Sequence, residues 1–139
     1  MHKTRIDRDD GRYLYFYSFD APPPQVLRVP GATRADGGLD LRWNALLDEQ
    51  VIVSTGRQGR TFLPAADACP LCPTLTPDAF VTEVPAPAYE IAVFENRFPS
   101  FRLDAPDRIG GAALERRAPA RGVCEVVLYS SQHEASLAS

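Results

Sequence analysis

The chain has 139 residues, a net charge of −3, 45% hydrophobic and 24% charged residues, which suits one soluble globular domain. The small negative charge argues against a general nucleic-acid binder, and no apolar run approaches the ~20 residues that a membrane span needs. Three cysteines, two of them in Cys69-Pro70-Leu71-Cys72, read as a metal or redox pattern in a cytoplasmic chain, not as a disulfide framework.

Met1 to Gly11 is polar and carries no apolar leader segment. Arg12 to Phe19 is aromatic-rich and reads as a strand. Pro22-Pro23-Pro24 breaks any element, and Gly31 to Gly38 reads as a loop with a turn at Asp36-Gly37-Gly38. Leu39 to Trp43 and Gln50 to Ser54 look like a hairpin around Asn44 to Glu49. Thr55 to Ala88 is proline-rich and should be irregular, and a metal would give it a reason to be ordered. Tyr89 to Asn96 alternates as a strand. Its Tyr89, Ile91 and Val93 face reads as core, and its Ala92, Phe94 and Asn96 face as a ligand face. Val123 to Ser130 is a further strand. Ser131-Gln132-His133-Glu134 fits a capping box that opens a helix, which would reach Ser139 before any stop signal. From this we expect a chain that ends where a longer protein would continue.

Cys69 and Cys72 place two thiolates close enough to share one tetrahedral ion, which is half a site, or are unpaired structural cysteines. A thioredoxin-like motif is disfavoured, because Pro70, Pro73 and Pro77 oppose a following helix. His133 would sit where a strand gives way to a helix and offers a third ligand, or is an ordinary surface histidine. Ser54 to Arg60 follows a strand with two glycines and with Arg57 and Arg60, forked donors suited to phosphate oxygens. It also fits an ordinary solvated loop. Phe94-Glu95-Asn96-Arg97-Phe98 sets two aromatics around an amide. That arrangement suits a base and a sugar hydroxyl, or two core aromatics and a turn. Cys124 reads as a small apolar residue.

Taken in order, these segments resemble the N-terminal part of the galactose-1-phosphate uridylyltransferase family, a branch of the histidine-triad superfamily. The residues that carry the resemblance are Arg42-Trp43-Asn44-Ala45-Leu46 with Gln50 to Ser54, Arg57 and Arg60, and Cys69-Pro70-Leu71-Cys72-Pro73. They continue with Phe94 to Pro99, Ala120-Arg121-Gly122, and Val126 to Ser130 leading to His133. The resemblance runs from about Leu41 to Ser139. It sets residues 1–40 apart as an extension with one strand and a Pro/Gly-rich loop, and 41–139 as the N-terminal uridylyltransferase-like domain, truncated at the start of a helix.

The resemblance implies an α+β fold, a twisted antiparallel sheet forming a histidine-triad-like half-barrel with few helices. It implies transfer of UMP from UDP-glucose to galactose 1-phosphate through a uridylylated histidine of a His-Pro-His motif. This chain has no His-x-His, so no catalytic nucleophile is assigned in it. Cys69, Cys72 and His133 fall on ligands of a structural zinc. The fourth zinc ligand and a second metal site belong to the family's downstream part. Asn96 falls on a ribose contact, and Leu71, Phe94, Phe98 and Val126 on nucleotide-pocket positions. Arg57 and Arg60 fall near the phosphates and the subunit contact. Arg97 stands where the family has an acidic residue that helps hold the ribose, and a cation cannot accept that hydrogen bond. A cytoplasmic homodimer is implied, with no nucleic acid or membrane partner. The alternatives are a catalytically inactive nucleotide- or zinc-binding module, or a related nucleotidylyltransferase or phosphorylase of the same superfamily.

Overall fold

The computed structural model describes residues 1–20, 25–27, 33–34, 38–57, 64–79, 82–107, 112–134 and 136. Pro22-Pro23-Pro24, the Asp36-Gly37 turn, Arg60 and four residues of the expected C-terminal helix, 135 and 137–139, lie outside them. The described residues form antiparallel strands and two short 3-10 turns, with no α-helix. The strands are β1 (His2–Asp7), β2 (Tyr13–Ser18), β3 (Leu39–Asn44), β4 (Glu49–Ser54), β5 (Ile91–Glu95), β6 (Arg117–Pro119) and β7 (Glu125–Leu128). No helix of the described residues is long and apolar enough to cross a membrane.

The chain divides into two units. The first comprises residues 1–34, 62–95 and 125–139, and the second 35–61 and 96–124. The first holds a sheet in the order β1-β2-β5-β7. Its core is built by alternation. Leu14 and Phe16 of β2 face the same side as Ala92 and Phe94 of β5, their register partners Phe16↔Ala92 and Leu14↔Phe94. All four are buried, together with Val84, Ala86 and Tyr89, and Val126 and Leu128 of β7 pack against them. This corrects the face assigned to β5 from sequence. Ala92 and Phe94 are the core face, whereas Ile91 and Val93 are only half-buried.

The polar segment His2–Asp7, which carries no strand signal, pairs along the whole of β2. The aromatic outer face of β2 gives it partners. The Lys3 ammonium lies 3.9 Å from the Tyr15 ring centroid. A turn containing Gly11 at φ +81 joins the two strands, a conformation that glycine adopts without a side-chain clash.

The second unit holds a sheet in the order β4-β3-β6. β3 and β4 form the expected hairpin, each strand extended to include Asn44 and Glu49. Asp48 closes its turn at φ +54, and Asn44 Oδ1 accepts the Leu46 N–H at 3.1 Å. On β3, the Trp43 ring carries the Arg116 guanidinium at 4.8 Å. Ser131 to Glu134 form a bend and a turn, not the helix that the capping box predicts.

Candidate metal centre

The segment from Pro64 to Ala79 contains a 3-10 turn, Ala66–Ala68, followed directly by Cys69. The Cys72 N–H points back at the Cys69 carbonyl at 3.4 Å, so the Cys-Pro-Leu-Cys stretch is itself a turn. That turn returns the second sulfur towards the first. No helix follows it among the described residues, as the prolines require. The stretch is not a free loop. Pro73 bridges Val84, the Thr74 N–H donates to the Val84 carbonyl at 2.9 Å, and the Glu83 N–H donates to the Pro70 carbonyl at 2.8 Å. The Thr74 and Thr82 hydroxyls, both buried, bond each other at 2.9 Å. The proline-rich connection is thus tied to a segment whose Val84 is a fully buried core residue.

His133 arrives from the far end of the chain, just after β7. Its Nδ1 lies 3.0 Å from Cys72 Sγ. The ligand atoms of Cys69, Cys72 and His133 all lie within 4.8 Å of one another. Donor atoms around a tetrahedral zinc, with bonds of about 2.0–2.3 Å, sit about 3.5–3.8 Å apart. The observed separations bracket that value, and two sulfurs with an imidazole nitrogen are a donor set that borderline-soft ions favour. The three residues therefore fit a metal ion. The cysteines are half-buried and His133 is exposed, which leaves one side of the group open to a fourth ligand. His133 Nε2 faces Glu134 Oε1 at 3.7 Å, within ion-pair reach but beyond hydrogen-bond length. Burial pushes the Cys72 thiol above its ordinary pKa, and neighbouring Cys69 adds to the effect. Two sulfurs this close resist becoming thiolates together unless a cation joins them.

The group forms part of the wall of a cleft of about 220 Å³, which Leu71, Tyr89, Leu128 and Tyr129 help to line. Tyr89 bridges core and cleft: its ring lies 6.0 Å from that of Phe16, and its hydroxyl donates to the Ser130 carbonyl at 3.0 Å. That bond fixes the backbone three residues before His133. Burial, followed by the charges of Cys72 and Cys69, raises the Tyr89 pKa to about 12, so the phenol stays a donor at neutral pH.

The residues expected at a nucleotide are drawn from both units. Leu71 lies beside the sulfurs and is 40% exposed. Phe94 is 1% exposed and belongs to the core of the first unit, and Val126 packs against that core. In the second unit, Arg57, Asn96 and Phe98 are brought to one loop. Arg57 Nη1 donates to Ser100 Oγ at 2.9 Å and reaches the Phe98 carbonyl at 3.5 Å. Asn96 Oδ1 accepts the Phe98 N–H at 2.9 Å, so this amide shapes a turn. Arg97 lies over the Phe98 ring at 5.2 Å. Arg60 lies outside the described residues.

Sequence reasoning missed the charged group at the start of β2. Arg12 is fully buried, with bonds to Asp10, Glu83 and the Glu95 carbonyl. Its only local signal is the Asp10-x-Arg12 spacing, which does not reveal a partner at position 83.

The sequence profile of the galactose-1-phosphate uridyl transferase family, N-terminal domain, matches residues 32–139. The chain is similar to a galactose-1-phosphate uridylyltransferase of Streptomyces lividans, 36% identical over 140 residues, covering 99% of this chain and 34% of that protein. It is similar to the enzyme of that name from Thermotoga maritima, 39% identical over 100 residues, covering 71% of this chain and 29% of the relative. A Rattus norvegicus galactose-1-phosphate uridylyltransferase is 33% identical over 117 residues, 75% of this chain and 30% of its own length. No solved structure matches the chain significantly. The chain thus spans about a third of the length of the curated relatives it matches. With the Cys-Pro-Leu-Cys turn and the Phe94 to Pro99 segment inside the matched stretch, the chain belongs to the galactose-1-phosphate uridyl transferase family, in its N-terminal domain.

Proposed function

We propose that this chain supplies the N-terminal part of a UDP-glucose–hexose-1-phosphate uridylyltransferase, which transfers UMP from UDP-glucose to galactose 1-phosphate. In this reading Cys69, Cys72 and His133 hold a structural zinc, with the fourth ligand from elsewhere in the full-length protein. The convergence of the Cys69–Cys72 pair with His133, 61 positions after Cys72, carries the reading. A zinc would cross-link the proline-rich turn to the segment after β7, and that tether is a folding contribution. The matched family and the names of the relatives support the chemistry. The antiparallel sheets are compatible with the half-barrel of the histidine-triad superfamily, and we place the protein in the cytoplasm as a homodimer.

By family correspondence, Arg57 and Arg60 serve the phosphates, Asn96 the ribose, and Leu71, Phe98 and Val126 the nucleotide. Phe94 acts from the core, through packing. The chain's two histidines are His2 and His133 and neither belongs to a His-x-His pair, so it contributes binding and scaffold rather than the nucleophile. That same fact favours the second reading, a nucleotide- and zinc-binding module without transferase activity.

The two readings separate in one experiment. Incubated with labelled UDP-glucose, the full-length protein should accumulate a covalent protein–UMP adduct that galactose 1-phosphate discharges. The adduct should map outside residues 1–139. Absence of any adduct in the full-length protein defeats the transferase reading and leaves the binding module.

A further inference from the structure

The charged group at the connection between β1 and β2 takes no part in the roles above, yet it reaches the cysteine turn. Arg8 and Arg12 each donate Nη1 to the same Glu83 oxygen, Oε2, at 2.9 Å. Arg8 Nη2 also donates to the Glu83 main-chain carbonyl. Arg12 is oriented by Asp10 Oδ2 at 2.7 Å and by the Glu95 carbonyl at 3.2 Å. The Arg8 and Glu83 side chains are 7% and 6% exposed. Burial lowers the Arg8 pKa, partly offset by Glu83, and neighbouring Arg12 lowers it further. Two guanidiniums held this close in a dry place require an anion between them.

Glu83 is also a rung of the turn's support. Its N–H donates to the Pro70 carbonyl, inside the Cys69–Cys72 turn. The next rung, from the Thr74 N–H to the Val84 carbonyl, lies just beyond Cys72. One residue is therefore gripped from one side by two arginines and grips the sulfur-bearing turn from the other. We infer that Glu83, clamped by Arg8 and Arg12, is a positioning residue for the Cys69–Cys72 turn, holding its two sulfur donors at the separation a metal ion needs. The inference rests on the metal reading of Cys69, Cys72 and His133. Groups bonded directly to metal ligands typically carry 10–100-fold in metal affinity, and Glu83, which acts on the turn through the Pro70 carbonyl, should carry about the lower end of that range.

The test is a Co(II) titration of the full-length protein, read by thiolate-to-cobalt absorption, with thermal unfolding measured alongside. Glu83→Gln keeps the side-chain volume and removes the charge that the arginines need. It should weaken Co(II) binding about tenfold and change the absorption band in protein that is still folded. Glu83→Asp keeps the charge and should recover part of the loss. A merely structural Glu83 would lower the unfolding temperature and leave affinity and band unchanged, and that result overturns the inference. If Glu83→Gln does not fold, Arg8→Lys decides: it retains a cation but gives up the forked grip on Glu83. Weaker cobalt binding supports the clamp, and equal binding overturns it. Failure of the metal reading is distinguishable, because wild-type protein would then show no thiolate-to-cobalt band, and the inference falls with it.

Discussion

A guanidinium with no exposed surface is costly to desolvate, and Arg12 is accommodated only because Asp10, Glu83 and the Glu95 carbonyl surround it. Arg12→Met should therefore destabilise the chain by about 3–5 kcal/mol, by leaving buried carboxylates short of a partner. Urea unfolding of wild type and variant would show this, and a change below about 1 kcal/mol would mean that the cluster relaxes into water. Asn96 combines an observed turn contact with the ribose contact proposed above. Its Oδ1 already accepts the Phe98 N–H, so Asn96→Ala should cost about 1 kcal/mol in stability. If the proposed ribose contact holds, the substitution should also weaken UDP-glucose binding by the full-length protein about tenfold. Calorimetric titration alongside unfolding separates the two, and unchanged affinity with lowered stability would leave Asn96 a turn residue only. Legibility at this scale follows chemistry. Cys69, Cys72 and His133 stand out because few residue types bind soft metals. The pairing of Arg12 with Glu83 was invisible, because charged residues are common and nothing periodic links positions 71 apart.

Strands were readable where side chains alternate. β2, β5, β7 and the β3–β4 hairpin appear within a few residues of the expected positions. β1 was not readable: HKTRID has one large apolar residue, and it becomes a strand by pairing along β2, whose aromatic rings receive Lys3 and Arg5. The two faces of β5 were exchanged for a related reason. Alternation shows that two faces exist, but the register against Leu14 and Phe16 decides which one is core, and that pairing is long-range. The capping box at Ser131 likewise failed to start a helix in the described residues. There, the Tyr89 hydroxyl takes up the Ser130 carbonyl, and His133 turns towards Cys72. Among the turns, Asp48 is the most exacting, since it sits at φ +54 in the β3–β4 hairpin. Asp48→Val should cost about 1–2 kcal/mol, because a β-branched side chain clashes there. Denaturant unfolding followed at the Trp43 fluorescence, on β3, reports it. A neutral result would show that the hairpin turn readjusts.

At the scale of the whole chain, each unit is assembled from separated stretches, three for the first and two for the second. Such interleaving rests on long-range strand pairing, which local sequence patterns do not encode. It also explains how a turn at residues 69–72 and a histidine at 133 come to share one unit. The chain belongs to the galactose-1-phosphate uridyl transferase family over residues 32–139, and the proposed metal is what would lock its proline-rich segment to the segment after β7. Elemental analysis of the full-length protein, purified without added metal, tests this most directly when wild type is compared with the Cys69→Ser/Cys72→Ser double variant. The account predicts about one zinc per protomer lost in the double variant, whose fold should also be less stable. Equal zinc content in the two proteins would contradict it.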